Sequence, residues 1–180
     1  SPMPRLGYIP HFLFQLSESV SLTYATTTPP TSGAETFCEY EGYDEDGNLE
    51  ISDFDVRNNG EGSDDEWQYL DEMEITVEVE NRGNDDIEDV EVTVLILDAK
   101  MEDNGNDVTN DFDFDKETIK SIGRLRDDDQ EEITFIIDEL SSDIEEGTYY
   151  MYIMAYEDNN EGEQCNSEID SGDFYFSFEI

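Results

Sequence analysis

Residues 75–97 read ITVEVENRGNDDIEDVEVTVLIL, and this stretch decides the fold. Ile75, Val77 and Val79 alternate with Thr and Glu, a period of two that lines one face of an extended chain with apolar side chains. Asn81-Arg82-Gly83 stops that run with turn-forming residues, and Val90, Val92, Val94 and Ile96 then resume the alternation. The reading is two half-buried strands joined by a turn. An amphipathic helix would repeat its apolar residues at three and four instead. Leu95 and Leu97 make the far end of the second strand apolar on both faces, which predicts a cover for it, supplied by another chain.

The same punctuation runs outward in both directions. Upstream, Leu49 and Ile51, a break at Asp53, then Phe54 and Val56 mark a first strand that ends at Asn58-Asn59-Gly60. Downstream, Ile119 and Ile122–Leu125 suggest a short strand, followed by the turn Asp127–Gln130 and by Ile133, Phe135 and Ile137. Gly147 opens an aromatic strand from Tyr149 to Tyr156, and a loop from Glu157 to Gly172 leads to Phe174-Tyr175-Phe176-Ser177-Phe178-Glu179-Ile180, which alternates again. Strongly periodic helix is absent, with room for a turn or two at residues 138–146. About seven short strands at this spacing predict an all-β fold, an immunoglobulin-like antiparallel β-sandwich.

Charge narrows the partners. Fifty Asp and Glu against eight Lys and Arg give a formal net charge of −42, which repels nucleic acid and anionic membrane alike. Such acidity accompanies disorder only when hydrophobicity is also low, and 36% hydrophobic with 12% aromatic residues is enough to form a core. A folded domain of this mass exposes roughly 9,000 Å², about one net charge per 200 Å², so evenly spread charges sit about 15 Å apart. That is nearly two Debye lengths at physiological salt, and the mean repulsion is tolerable. Runs such as Asp127-Asp128-Asp129, Ser63-Asp64-Asp65-Glu66 and Asp111-Phe112-Asp113-Phe114-Asp115 are harder to accommodate, because carboxylates a few Å apart need cations, salt or shared protons. The medium they imply is salt-rich or contains calcium.

The chain divides into three parts. Residues 1–25 are its least acidic portion, with Arg5 the only base and Glu18 the only acid, and Leu16, Val20, Leu22 and Tyr24 read as an extra N-terminal strand. Residues 26–36, rich in Thr and Pro, form an extended connector whose hydroxyls could carry O-linked sugar; no Asn-x-Ser/Thr sequon occurs. Residues 37–180 hold the sandwich. Cys38 and Cys165 lack the spacing of a zinc site and are either a disulfide or two buried thiols; the disulfide places the protein outside the cytoplasm. No apolar run reaches the ~18 residues of a membrane span. Residues 5–25 loosely follow the order of an export signal, but Pro10, Gln15 and Glu18 interrupt it.

Site chemistry is sparse. Asp44, Asp46 and Asn48 set oxygen ligands on alternate residues around Gly47, with Asp53 further on, like half a calcium loop. Gly42 stands where the first acidic ligand of an EF-hand belongs, so the choice is between an irregular calcium site and a solvated acidic turn. Asp103-Asn104-Gly105-Asn106-Asp107 and the pair Asp113 and Asp115 make a second, weaker cation candidate. Trp67 with Tyr69 and Tyr40 offers either a sugar-stacking platform or a core tryptophan. His11, beside Phe12 and Phe14, either titrates near neutrality or simply packs. Carboxylate pairs are too numerous to single out a glycosidase pair, and no nucleophile elbow, phosphate loop or metalloprotease helix occurs.

The segments VEVENRGNDDIEDVEVTVLILD, RLRDDDQEEITFIID and GTYYMYIMAYEDNNEGEQCN resemble the cell-adhesion-related (CARDB-like) domains of archaeal and bacterial surface proteins. The likeness covers about residues 48–180 and lies in three motifs in order: Asn81-Arg82-Gly83 ending a strand, the turn from Leu125 to Glu132, and Gly147-Thr148-Tyr149 opening the next strand. It implies a secreted, non-catalytic module of the cell surface. Together with the N-terminal strand, it leads us to expect an extracellular, archaeal structural protein. Residues 12–25 of one subunit would fill an edge or groove in the next, making a head-to-tail homopolymer by donor-strand exchange. The N-terminal strand could instead join its own sandwich. The runner-up is a monomeric adhesion module binding calcium or a cell-surface glycan; no cofactor is required, and calcium is the one ion for which ligands are offered. A secreted hydrolase is the third class.

Overall fold

The structure, a computed structural model, describes residues 34, 36–43, 47–115, 117–158, 164–170 and 172–180. Leu16, Val20, Leu22 and Tyr24 of the N-terminal strand, His11, and Asp44 and Asp46 of the calcium candidate lie outside these.

The alternating stretches become eight strands: β1 (Leu49–Asn58), β2 (Met73–Asn81), β3 (Ile87–Leu97), β4 (Ile119–Leu125), β5 (Gln130–Ile137), β6 (Thr148–Glu157), β7 (Cys165–Asn166) and β8 (Phe176–Glu179). All pairings between them are antiparallel. One sheet runs β1-β2-β5; the other runs β4-β3-β6, with β7 and β8 following one another along the far side of β6. The arrangement is an immunoglobulin-like β-sandwich. Its inner faces are the predicted alternating residues: Ile75, Val77 and Val79 from one sheet against Val90, Val92, Val94, Ile96, Met151 and Ile153 from the other. The break at Asp53 is a register shift between Ile51 and Asp53, a bulge that keeps Leu49, Ile51, Phe54 and Val56 all directed at the core.

The fold shows what two of the sequence motifs do. Asn81 is fully buried at the β2–β3 turn, where its Nδ2 donates to the carbonyls of Asp85 (2.9 Å) and Leu125 (3.1 Å) and its Oδ1 accepts from the Gly83 N–H (2.9 Å). Tyr149, at the start of β6, donates its hydroxyl to the Glu145 carbonyl (2.7 Å), the bond of a tyrosine corner.

Two expectations are corrected. The two-sided end of β3 is covered by this chain's own segment, not by another chain. Helix α1 (Phe37–Glu41) and Met101 lie over Leu95, Leu97, Tyr152, Met154 and Tyr156 on the outer face of the second sheet. The sequence reading had the strand pattern starting at residue 37, but Thr36 caps a helical turn there: its Oγ1 accepts the Glu39 N–H (3.1 Å), and Gly42 ends the turn in the left-handed region (φ 91°). In keeping with the reading of at most a turn or two at residues 138–146, these contain no helix: the Leu140 N–H donates to the Asp71 carbonyl (3.1 Å) and the Leu140 carbonyl accepts the Leu70 N–H (3.0 Å).

The cysteines form a disulfide, Cys38–Cys165, across a separation of 127 residues. It fastens α1 to β7 and fixes the outer cover of the sandwich beside the edge strand β1. No helix among the described residues is long and apolar enough to cross a membrane.

Candidate functional site: the groove along strand β1

A sandwich built from two open sheets has four outer edges, and each exposes main-chain donors and acceptors that other chains can pair with. Three of them are interrupted at particular points. On β5, the Asp115 N–H donates to the Ile136 carbonyl (2.9 Å), and the Lys120 ammonium donates to the Thr134 carbonyl while sitting 5.1 Å from the Phe135 ring. On β8, the Glu179 N–H donates to the Asp65 carbonyl (2.9 Å) and the Glu179 carbonyl accepts from the Trp67 N–H (2.8 Å). β4 is broken by register shifts where Val90 meets Gly123, whose φ of 80° suits only glycine comfortably.

The outer edge of β1 differs. At its start, the Asn48 N–H donates to Gln164 Oε1 (2.6 Å) and the Ile51 N–H donates to Asn166 Oδ1 (3.2 Å). At its end, the Asn58 N–H donates to Asp64 Oδ1 (2.9 Å), whereas the Asn59 N–H turns inward to the Glu72 carbonyl (2.9 Å). Main-chain groups of an antiparallel strand alternate in direction, so the N–H and C=O of Val56 and Phe54 face outward like those of Asn58. Among the described residues nothing closes these two positions. The result is a window in the edge, with a side-chain cap at each end.

Beside the window runs an open groove of about 900 Å³ between β1 and the segment that leaves β7 and returns as β8. Ile169, Phe54, Phe176 and Tyr175 contribute its apolar surface, with Phe54 and Phe176 in contact at a centroid distance of 5.9 Å. Its walls carry Glu50, Asp53, Asp55, Asp64, Asp170 and Asp173. The base lining it is Arg82, which is occupied by Glu50 (2.6 Å) and Glu80 (3.0 Å). The groove is therefore apolar in its floor and strongly anionic at its rim.

The lower cap depends on a buried carboxylate that sequence reading passed over. Asp71 is 2% exposed and accepts from Asn58 Nδ2 (2.7 Å) and from the N–H groups of Glu61 (2.9 Å), Gly62 (3.2 Å) and Gln68 (2.8 Å). Burial pushes its carboxyl up, but the hydrogen bonds from Asn58, Glu61, Gln68 and Gly62 outweigh burial and hold it below the usual aspartate range. The loop wraps so closely that a Cβ on Gly60 would lie 2.0 Å from Asp71 Oδ1. The only advance signal was the pair of glycines, Gly60 and Gly62, set among acids.

Of the other sequence candidates, Asn48 and Asp53 line this groove and the rest of those described lie elsewhere. Trp67 is 3% exposed, stacked on Phe178 at 3.6 Å and donating Nε1 to the Asp64 carbonyl (2.8 Å); its ring faces the core and offers no sugar platform. Tyr69 is 39% exposed and donates its hydroxyl to the Ile144 carbonyl (3.3 Å), while Tyr40 packs against the separate cluster under α1. Of the calcium candidates, Asn48 lines the groove with its main-chain N–H held by Gln164 and its carbonyl accepting the Arg82 N–H (2.7 Å). Asp53 projects from the solvent face of β1. Asp113 and Asp115 are exposed on the far side, their main chains bridged to Asp138 and Ile136. In the loop at residues 103–107, Asn106 turns inward and donates through both its N–H and Nδ2 (2.7 Å each) to Asp98, holding that carboxyl low. Among the described residues, no three Asp, Glu, His or Cys side chains are grouped to hold a metal ion.

No protein-family model matches the chain, and no curated protein matches it in sequence. Among solved structures, the C-terminal domain of wzt is 13% identical over 75% of this chain and 69% of that one, with a TM-score of 0.45. A β-glucosidase from Erythrobacter marinus is 13% identical over 73% of this chain and 15% of its own (TM-score 0.40). A family 123 glycoside hydrolase from Clostridium perfringens is 10% identical over 72% and 27% (TM-score 0.38). The matched part spans less than a third of either glycosidase.

Proposed function

We propose that this chain is a non-catalytic extracellular structural protein, a subunit of a cell-surface filament whose copies are joined head to tail when the N-terminal segment of one pairs with the next. The observation that carries the reading is the unclosed stretch of the β1 edge, which runs beside a groove with an apolar floor. A strand edge left open on a soluble domain is an association site unless something covers it. Supporting it are the disulfide, which suits an oxidising compartment, and the strand-like residues 12–25, which carry a single acid in a chain of net charge −42.

Negative-stain imaging of the full chain and of a chain lacking residues 1–25, with and without calcium and in high salt, tests this. Filaments are expected from the full chain in high salt and none from the truncated one, with its β-sheet circular dichroism intact. Monomers from the full chain under every condition would overturn the proposal. Unfolding of the truncated chain would assign the N-terminal strand to its own sandwich.

A further inference from the structure

We infer that the outward edge of Phe54–Val56 on β1 is the seat of the incoming strand, and that its occupant is the stretch around Val20, Leu22 and Tyr24 of a second copy. This rests on the strand-donation reading above and adds a position, a register and a reason for the choice of partner.

The position follows from elimination among edges. Main-chain groups of β5 and β8 already bond to Lys120, Asp115, Asp65 and Trp67, and β4 is bulged at Gly123. Between the caps on Ile51 and Asn58 lie six residues of β1, roughly 20 Å of strand. Residues 19–24 span the same length. Their alternation sets Val20, Leu22 and Tyr24 on one face, able to meet Phe54, Ile169 and Phe176 in the groove floor, and Ser19, Ser21 and Thr23 on the other.

The choice of partner follows from charge. A strand laid against β1 comes within about 5 Å of Asp53 and Asp55, and a carboxylate opposite either would be repelled. Each strand of the sandwich longer than β7 carries at least one acid or base, and most carry several acids. Residues 19–25 carry none. A second copy's segment is the occupant we favour, because the composition of residues 26–33, with Pro29-Pro30 among five Thr and Ser, suits a stiff extended spacer of roughly 25 Å, long enough to reach a neighbour.

Cysteine pairing between separate full-length chains tests the inference. Asp55→Cys stands on the solvent face of β1, and Ser21→Cys or Thr23→Cys on the matching face of the segment. Mixing an Asp55→Cys chain with a Ser21→Cys or Thr23→Cys chain under mild oxidation is expected to give a mixed disulfide on a non-reducing gel. A pairing that forms only when both cysteines are in one chain, leaving monomers, would show the segment in its own groove and overturn the inference. A second measurement does not depend on cysteine geometry. Phe54→Pro removes the outward N–H without touching the ladder to β2, and Phe54→Ala removes the same ring but keeps the N–H. Association measured by sedimentation is expected to be roughly fivefold to tenfold weaker for Phe54→Pro than for Phe54→Ala. Equal weakening would overturn the edge pairing. If deleting residues 1–25 abolishes assembly while no mixed disulfide forms and the two Phe54 variants behave alike, strand donation survives and this seat is wrong. If no condition yields assembly, both fall.

Discussion

β1 and β5 are the two outer strands of the same three-stranded sheet, and they are finished in opposite ways. On β5 the outward carbonyls of Thr134 and Ile136 are taken by the Lys120 ammonium and by the Asp115 N–H, so a neighbour meets a ladder interrupted in its middle. β1 has caps only at its ends, from Gln164 and Asn166 above and Asp64 below, and the middle is left open. Uniform neglect would suggest a fold that tolerates open edges. Closure on one side, and closure up to a defined window on the other, indicates an edge whose length is set. The caps belong to two separate devices: the disulfide-bearing β7 segment holds the upper one, and the Asp71 loop holds the lower.

Breaking the upper device has the largest expected effect. The disulfide closes a loop of 127 residues, for which the chain-entropy argument gives about 5 kcal/mol of stabilisation. The double substitution Cys38→Ala with Cys165→Ala is therefore expected to lower the unfolding free energy by about that amount, read from the denaturant midpoint. Because Cys165 immediately precedes Asn166, the Ile51 N–H should fall below the new, lower global protection, while the amides of β5 follow that global value. An Ile51 N–H that falls only as far as β5 does would mean that the disulfide supports the whole domain and not the cap.

The strands of this comparison were legible and the caps were not. Alternation at Ile75–Val79, Val90–Ile96 and Tyr149–Tyr156 reports burial of one face directly, and even the break at Asp53 showed through as the bulge. The final strand was legible through Phe176 and Phe178, although its ladder to β6 is confined to Phe176–Glu179. Side chains that end a strand edge leave no periodic trace: Gln164, just before β7, and Asn166, within it, lie more than a hundred residues from the amides they cap, and Lys120 is one base in an acidic chain. Trp67 read equally well as a platform or a core residue because aromatic clustering alone does not tell a ring which way to face. Helix α1 escaped because a single capped turn of five residues is too short to show a period. The groove itself is a tertiary product of β1 and the β7–β8 segment, and no local pattern announces it.

The lower device ranks second. Asp71→Ala leaves Asn58 and three loop N–H groups without their acceptor in a buried setting, at a cost of roughly 2–4 kcal/mol. Asp71→Asn tests the charge alone. The folded carboxyl titrates below its unfolded value of about 3.9, so its contribution is fully present above that pH and disappears as pH falls through the folded value. The stability gap between wild type and Asp71→Asn should accordingly be constant above about pH 5 and narrow below pH 4, measured by denaturant titration at each pH. Comparing the two proteins at each pH removes the large background from the other carboxylates. A gap that stays constant down to pH 2 would show that folding leaves the Asp71 pKa unshifted, and one that widens as pH falls would show it raised.

Opening the closed edge is the smallest perturbation and the most direct challenge to the comparison. Lys120→Met keeps a long side chain over Phe135 but withdraws the donor from the Thr134 carbonyl, at an expected cost of about 1–2 kcal/mol. The domain should remain folded, with exchange protection lost first at the exposed half of β5. If an unclosed ladder is what makes β1 adhesive, Lys120→Met combined with Phe54→Pro should restore part of the association that Phe54→Pro removes. If the double variant stays as weak as Phe54→Pro alone, openness is not sufficient. Glu131 and Glu132, exposed on β5 where β1 offers a groove, would then be what keeps a neighbour away. In that case the lysine finishes an edge that charge already defends, and the special property of β1 is the apolar floor beside its window.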